Sequence, residues 1–177
     1  AFVWGTCPDI TAIQNFYVTK YTGQWYETHS DVQIPYEIGA SCITGKYTTR
    51  DDGDFDVLNR AWSIFKMGYM QSPGKGRCKP GEGACSIGLF GRPIPDKTNL
   101  NVMMTDYDTY SIYYSCKQYG WFKQDYAGVL SRSPVLDEDV YANIEESVKD
   151  LLPSYNWSRW MGTIGQDSCE YVWDLEE

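Results

Sequence analysis

The sequence predicts an all-β fold, an eight-stranded antiparallel up-and-down β-barrel with one C-terminal α-helix packed outside it. Three observations carry this. Short runs rich in β-branched and aromatic residues recur along the chain, separated by turn clusters. Only one stretch shows helical periodicity, and it lies near the C-terminus. The length of 177 residues suits one globular unit, so residues 1–177 are read as a single domain. With 42% hydrophobic and 16% aromatic residues, including 15 Tyr and 7 Trp, the chain carries ample material for a core, which excludes disorder.

The strands follow in order. Gln24–His29, Cys42–Thr49, Phe55–Trp62, Leu100–Thr105, Tyr110–Cys116 and Tyr126–Ser131 each read as a strand. Asp51-Asp52-Gly53-Asp54 and Asp106-Tyr107-Asp108 are short reversals, so neighbouring strands pair in sequence order. Between Ser72 and Asp96 stand six glycines and four prolines. That composition predicts two short strands there at most, one near Cys85–Phe90. After Ser133-Pro134, the spacing of Val140, Ile144 and Val148 predicts an amphipathic helix over 137–152. Asp137 caps it, Leu136 staples onto Tyr141, and Pro153 stops it.

Charge narrows the function. A net charge of −9 and a pI near 4.6 exclude a nucleic-acid partner, whose phosphates demand clustered Lys and Arg. No run approaches the roughly 20 apolar residues that span a bilayer, so no membrane span is expected. The segment Ala1–Thr6 lacks the basic-then-apolar pattern of a signal peptide, so a mature soluble form is expected. Six cysteines without zinc-knuckle or CxxC spacing fit a disulfide framework made in an oxidising compartment. Asn156-Trp157-Ser158 is an N-glycosylation sequon, and with the cysteines it marks the protein as secreted and extracellular. The single histidine, His29, has no second His, free Cys or Ser/His/Asp order beside it, so no metal site, no catalytic residue and no enzyme are expected.

Three ordered blocks carry a family resemblance. Asn15-Phe16, Tyr21 and Gly23-Gln24-Trp25-Tyr26-Glu27 form the first, Thr105-Asp106-Tyr107 the second, and Arg132 within Val129-Leu130-Ser131-Arg132-Ser133 the third. In order and spacing they resemble the lipocalin motifs over nearly the whole chain. Gly5-Thr6-Cys7-Pro8-Asp9 and the run from Thr105 to Cys116 narrow the likeness to the group of apolipoprotein D, insect bilin-binding protein and crustacyanin. The resemblance implies disulfides Cys7–Cys116 and Cys42–Cys169, which leaves Cys78 and Cys85 to pair across a Gly- and Pro-rich loop. It also places Trp25 and Arg132 at the closed end of the barrel as structural residues, where a guanidinium stacked on an indole is a stable arrangement.

Period-two alternation, with Trp25 inward and Cys42 and Cys116 outward, then sorts the interior. Glu27 and His29 face in from the first strand; Ile43, Gly45 and Tyr47 from the second; Phe55, Val57, Asn59 and Ala61 from the third. Ser111, Tyr113 and Ser115 follow, with Tyr126 and Gly128 on the last strand. Such a lining suits a small hydrophobic ligand, long and flat, with a few oxygens. Within the resembled group the ligands are carotenoids such as astaxanthin, biliverdin-type bilins, and colourless lipids (fatty acid or sterol). Bilin propionates call for Lys or Arg, and none points inward, so a carotenoid held for coloration, storage or transport is favoured. No catalytic cofactor is expected, only a bound hydrophobic chromophore; a homo- or hetero-oligomer with other lipocalins is the expected partner. The resembled proteins tend to carry a bulky aromatic at Gly128, and its absence predicts a wider pocket or infilling by Trp62 or Trp121.

Overall fold

A computed structural model describes residues 1–177. A short strand β1 (Phe2–Trp4) and a single-turn helix α1 (Val18–Tyr21) precede the barrel. The barrel itself is β2 (Gly23–Asp31), β3 (Ala40–Thr49), β4 (Phe55–Ser63), β5 (Gly68–Cys78), β6 (Ala84–Leu89), β7 (Leu100–Thr105), β8 (Tyr110–Tyr119) and β9 (Phe122–Ser131). Each pairs antiparallel with its neighbour in sequence, and β9 returns to pair with β2, closing the sheet. Helix α2 (Glu138–Leu151), one turn of α3 (Trp157–Trp160) and strand β10 (Met161–Thr163) follow, with β10 pairing on β2 and β1 on β9.

The glycine-rich stretch departs from expectation. β5 runs for 11 residues, through Pro73, Gly74 and Gly76. Pro73 is tolerated because its carbonyl points to Phe90 at the end of β6, where the ladder has stopped and no N–H is required. The glycines make room for neighbours: a β-carbon on Gly76 would lie 2.4 Å from the Phe55 ring, and one on Gly74 would lie 2.4 Å from the Gly88 carbonyl oxygen. Glycine here answers to packing inside the barrel, not to a break in the strand.

Helix α2 matches its sequence reading. The Asp137 carboxylate accepts from the Asp139 N–H at 2.8 Å, and Leu152 and Pro153 follow the last turn. Ile144, Val148 and Leu152 are buried against Met103, Ile112, Tyr114, Ala127 and Val129 on the outer face of β7 to β9. Burying each aliphatic chain contributes roughly 1.5–3 kcal/mol, so this contact fixes the helix to the barrel. Beside it, buried Asp31 accepts from the Tyr155 hydroxyl and the Ala1 amino group, both at 2.6 Å.

The three disulfides join Cys7 to Cys116, Cys42 to Cys169 and Cys78 to Cys85, and no cysteine is free. The third bridges register partners on β5 and β6. No helix is long and apolar enough to cross a membrane.

Candidate ligand-binding site

Alternating antiparallel strands place the loops at two ends. The connections 50–54, 79–83 and 106–109 lie at one end with Trp25, while 32–39, 64–67, 90–99 and 120–121 lie at the other. The first end is sealed. Trp25 is fully buried, its Nε1 donates to the Tyr21 carbonyl at 2.8 Å, and the Arg132 guanidinium stacks 3.6 Å over its ring. Arg132 also donates to the carbonyls of Lys20, Tyr21, Thr22, Gln24 and Tyr107, so one side chain ties α1, β2 and the 106–109 turn together. Phe16, Tyr21, Val102 and Leu130 pack round the indole. The space left there is a cavity of about 20 Å³, bounded by Tyr21, Tyr47, Phe55 and Val102 among others. The lower barrel is therefore a packed core.

β2 breaks the alternation. Glu27 pairs with Leu130 and His29 with Val129, so Thr28 is an extra residue and the strand changes phase at this bulge. His29 consequently points outward, where its ring stacks on Tyr141 of α2 with centroids 4.0 Å apart. This corrects its predicted inward placement and separates it from Glu27. Burial against the helix pushes the His29 imidazole down to about 4. Ser30 takes the inward place instead, and its hydroxyl donates to Glu37 Oε2 at 2.7 Å. Nothing in the local sequence marks Thr28 as the bulge. Glu37, from the 32–39 loop, was not an expected lining residue.

The other expected side chains converge. From β3 and β4, Gly45 pairs with Asn59 and Tyr47 with Val57, and a β-carbon on Gly45 would lie 3.2 Å from the Asn59 side-chain oxygen. Ile43 is buried beside a second bulge, which spans Cys42 and Ile43 opposite Ala61. Phe55 makes an edge-to-face contact with Tyr47 at 5.8 Å. Ser111 sits deeper, hydrogen-bonded to the Tyr21 hydroxyl at 2.8 Å. Tyr113 lies over Gly128, its register partner, and donates to the Glu27 carboxyl. That answers the missing aromatic at 128: Tyr113 occupies the place, and neither Trp62 nor Trp121 does. Trp121 is exposed and stacks on Trp4. Tyr126 pairs with Ser115 nearer the open end.

The titratable groups of the interior are carboxyls and phenols. Burial, then the neighbouring Glu37 charge, pushes the Glu27 carboxyl well above the usual carboxylate range. Burial also raises Glu37. Burial lifts Tyr21 to about 12 and also raises Tyr47 and Tyr113. No group of His, Cys, Asp and Glu is arranged to hold a metal ion. A polar groove of about 610 Å³ lies elsewhere, on the β5 and β6 side, lined by Asp56, Lys75, Arg77 and Arg92.

This architecture agrees with the comparisons. The lipocalin-like domain model matches residues 16–161. Apolipoprotein D of Bos taurus is 31% identical over 160 residues, covering 88% of this chain and 79% of that protein. Insecticyanin of the tobacco hornworm Manduca sexta superposes with a TM-score of 0.81 at 22% identity, covering 94% of this chain and 89% of the other. Lobster apocrustacyanin A1 gives 0.75 at 23% identity, covering 94% and 92%. The closed eight-stranded barrel, the Arg132 stack on Trp25 and the matched model agree, and the chain belongs to the lipocalin family.

Proposed function

We propose that this lipocalin is a secreted, non-catalytic carrier whose upper barrel holds a long hydrophobic ligand, in first place a neutral pigment such as a keto-carotenoid. One observation carries the reading. The half-buried hydroxyls of Tyr47 and Tyr126 and the half-buried amide of Asn59 make no hydrogen bond to protein, whereas other polar groups inside are matched: Tyr21 with Ser111, Tyr113 with Glu27, Ser30 with Glu37. Polar groups in an apolar pocket that lack partners within the fold serve to orient what the pocket binds. Glu27, Ile43, Val57, Tyr113 and Gly128 complete the lining, Phe55 and Ser111 lie at its floor on the packed base, and His29 is no longer part of it.

Binding is desolvation fixed by a few neutral donors. Removing an extended polyene from water at roughly 25 cal/mol per Å² supplies the driving force, offset by lost ligand freedom. Access is from the open end, where Tyr36, Ile38, Ile64, Phe65, Phe90 and Trp121 are exposed. An apolar rim of this kind suits a ligand that protrudes, and an oligomer with another lipocalin would cover it. Three disulfides support an extracellular setting.

The test is a parallel titration of the protein with a keto-carotenoid, biliverdin and palmitate, followed by tryptophan fluorescence. Saturable quenching by the carotenoid ahead of the other two supports the reading. Preference for biliverdin favours a bilin carrier, and no quenching by any of them contradicts the carrier function.

A further inference from the structure

The inside of the barrel is unusual in the charges it holds. Glu27, only 4% exposed, and Glu37 stand together between the packed base and the mouth, on either side of Gly128, whose register partners Tyr113 and Ser30 bind them. Tyr113 donates to the first and Ser30 to the second. No cation offsets them. Lys46 reaches outward to Asp174 and Arg60 to Glu176. Lys123 pairs with Asp125, Arg77 with Asp54, and Arg132 seals the base. His29 faces α2. The positive side chains nearest the mouth are those of the connecting loops, Lys66, Arg92 and Lys97. Aimed into the same space, the Tyr47 hydroxyl and the Asn59 amide have no partner in the fold.

We infer that Glu27 and Glu37 are the specificity-determining residues of the barrel: they admit an apolar ligand that ends in a neutral hydroxyl or carbonyl and exclude the same skeleton ending in a carboxylate. The inference rests on the carrier reading and names the class of ligand that carrier takes. A carboxyl pair offers both kinds of hydrogen bond. A carboxyl group accepts from a hydroxyl in either state, and donates to a carbonyl oxygen where it carries its proton. Tyr47 and Asn59 extend the choice. A ligand carboxylate meets the opposite: it loses its water in a low-dielectric space, finds no Lys or Arg, and faces charge of its own sign. Burial already holds Glu27 far above its ordinary range, and a further anion would add to that cost.

A matched pair of ligands isolates the effect. Retinol and retinoic acid share a polyene and ring and differ at one end in charge. Each is titrated into the full chain at neutral pH and followed by tryptophan fluorescence, first with the native protein and then with Glu27→Gln/Glu37→Gln, Glu37→Gln alone and Glu146→Gln. The native protein should bind retinol about tenfold or more tighter than retinoic acid, a difference of about 1.4 kcal/mol. The double variant should bring the two within about threefold by strengthening retinoic acid, with retinol little changed. Glu37→Gln alone, on a loop, should move part of the way and serves if the double variant does not fold. Glu146→Gln on the exposed face of α2 removes the same charge from the surface and should leave the preference intact, which excludes a simple effect of net charge. Equal binding of the two ligands by the native protein overturns the inference and leaves the carrier reading standing. An undiminished preference in both pocket variants also overturns it. Binding of neither ligand overturns the carrier reading and the inference together.

Discussion

A β-carbon on Gly128 would lie 2.3 Å from Cζ of Tyr113, so the tyrosine ring fills the space of the side chain that position 128 lacks. The same ring is held at its far end, where its hydroxyl donates to Glu27. Gly128→Ala therefore forces the ring aside and should destabilise the fold by roughly 1–3 kcal/mol. In a Tyr113→Ala background the same change should cost much less. Urea denaturation of the four proteins forms a double-mutant cycle, and additive effects would show that the two positions do not compete for space. Gly128→Trp should further weaken binding of a long pigment.

Arg132→Ala removes a guanidinium stacked on Trp25 and the donor to five carbonyls. A loss of roughly 2–4 kcal/mol is expected from the hydrogen bonds and the stacking together. Because this end is packed and remote from the mouth, a bound pigment should keep its absorption maximum in the fraction that stays folded. A shifted maximum would place the ligand against the base.

Buried Glu27 and half-buried His29 give the stability opposite slopes in pH. His29 titrates near 4 in the fold, against 6.5 when unfolded, so the unfolded chain binds more protons between those values. Its contribution is complete above pH 6.5 and is lost as pH falls through 4. Glu27 is raised, so its contribution is present below its ordinary value of 4.5 and is lost as pH rises above it. In a series of Tm against pH, His29→Phe should flatten the acid limb while keeping the stack on Tyr141. Glu27→Gln should flatten the decline toward neutral and higher pH. No change of slope in either variant would contradict the burial of these groups.

Denatured but unreduced protein should show no reactive thiol. Removing Cys78–Cys85, which closes a short loop across β5 and β6, should cost about 2–3 kcal/mol. Removing Cys7–Cys116, which spans 109 residues, should cost about 5 kcal/mol. Equal losses would show that the loop-length argument does not govern this fold.

Asn156 is exposed, and its side-chain oxygen accepts from the Arg159 N–H at the start of α3. Its amide nitrogen stays free to carry a glycan. Expression through a eukaryotic secretory route should give a mass that falls on glycosidase treatment, and an unshifted mass would count against modification there.

Much of this structure is legible in the residues, and the misses share a cause. The helix at 137–152 and the main strands follow from hydrophobic periodicity, which is local. The bulge at Thr28 is set by how β2 meets β9 when the barrel closes, so no local pattern announces it, and one inserted residue turned His29 outward and Ser30 inward. The length of β5 was hidden for a similar reason: Gly76 serves the Phe55 ring, a partner 21 residues away in sequence. Glu37 escaped because loop residues carry no alternation, and only the folded chain brings Glu37 to Glu27.

The most direct test of the central claim is the visible absorption spectrum of the protein with one equivalent of a keto-carotenoid, compared with its Tyr47→Phe/Asn59→Leu variant. A pigment seated in the barrel with its polar end on these side chains should show a shifted maximum at saturation near one ligand per chain. The variant should retain binding and lose much of the shift. A spectrum identical to that of the free pigment, at any ratio of pigment to protein, would contradict the account.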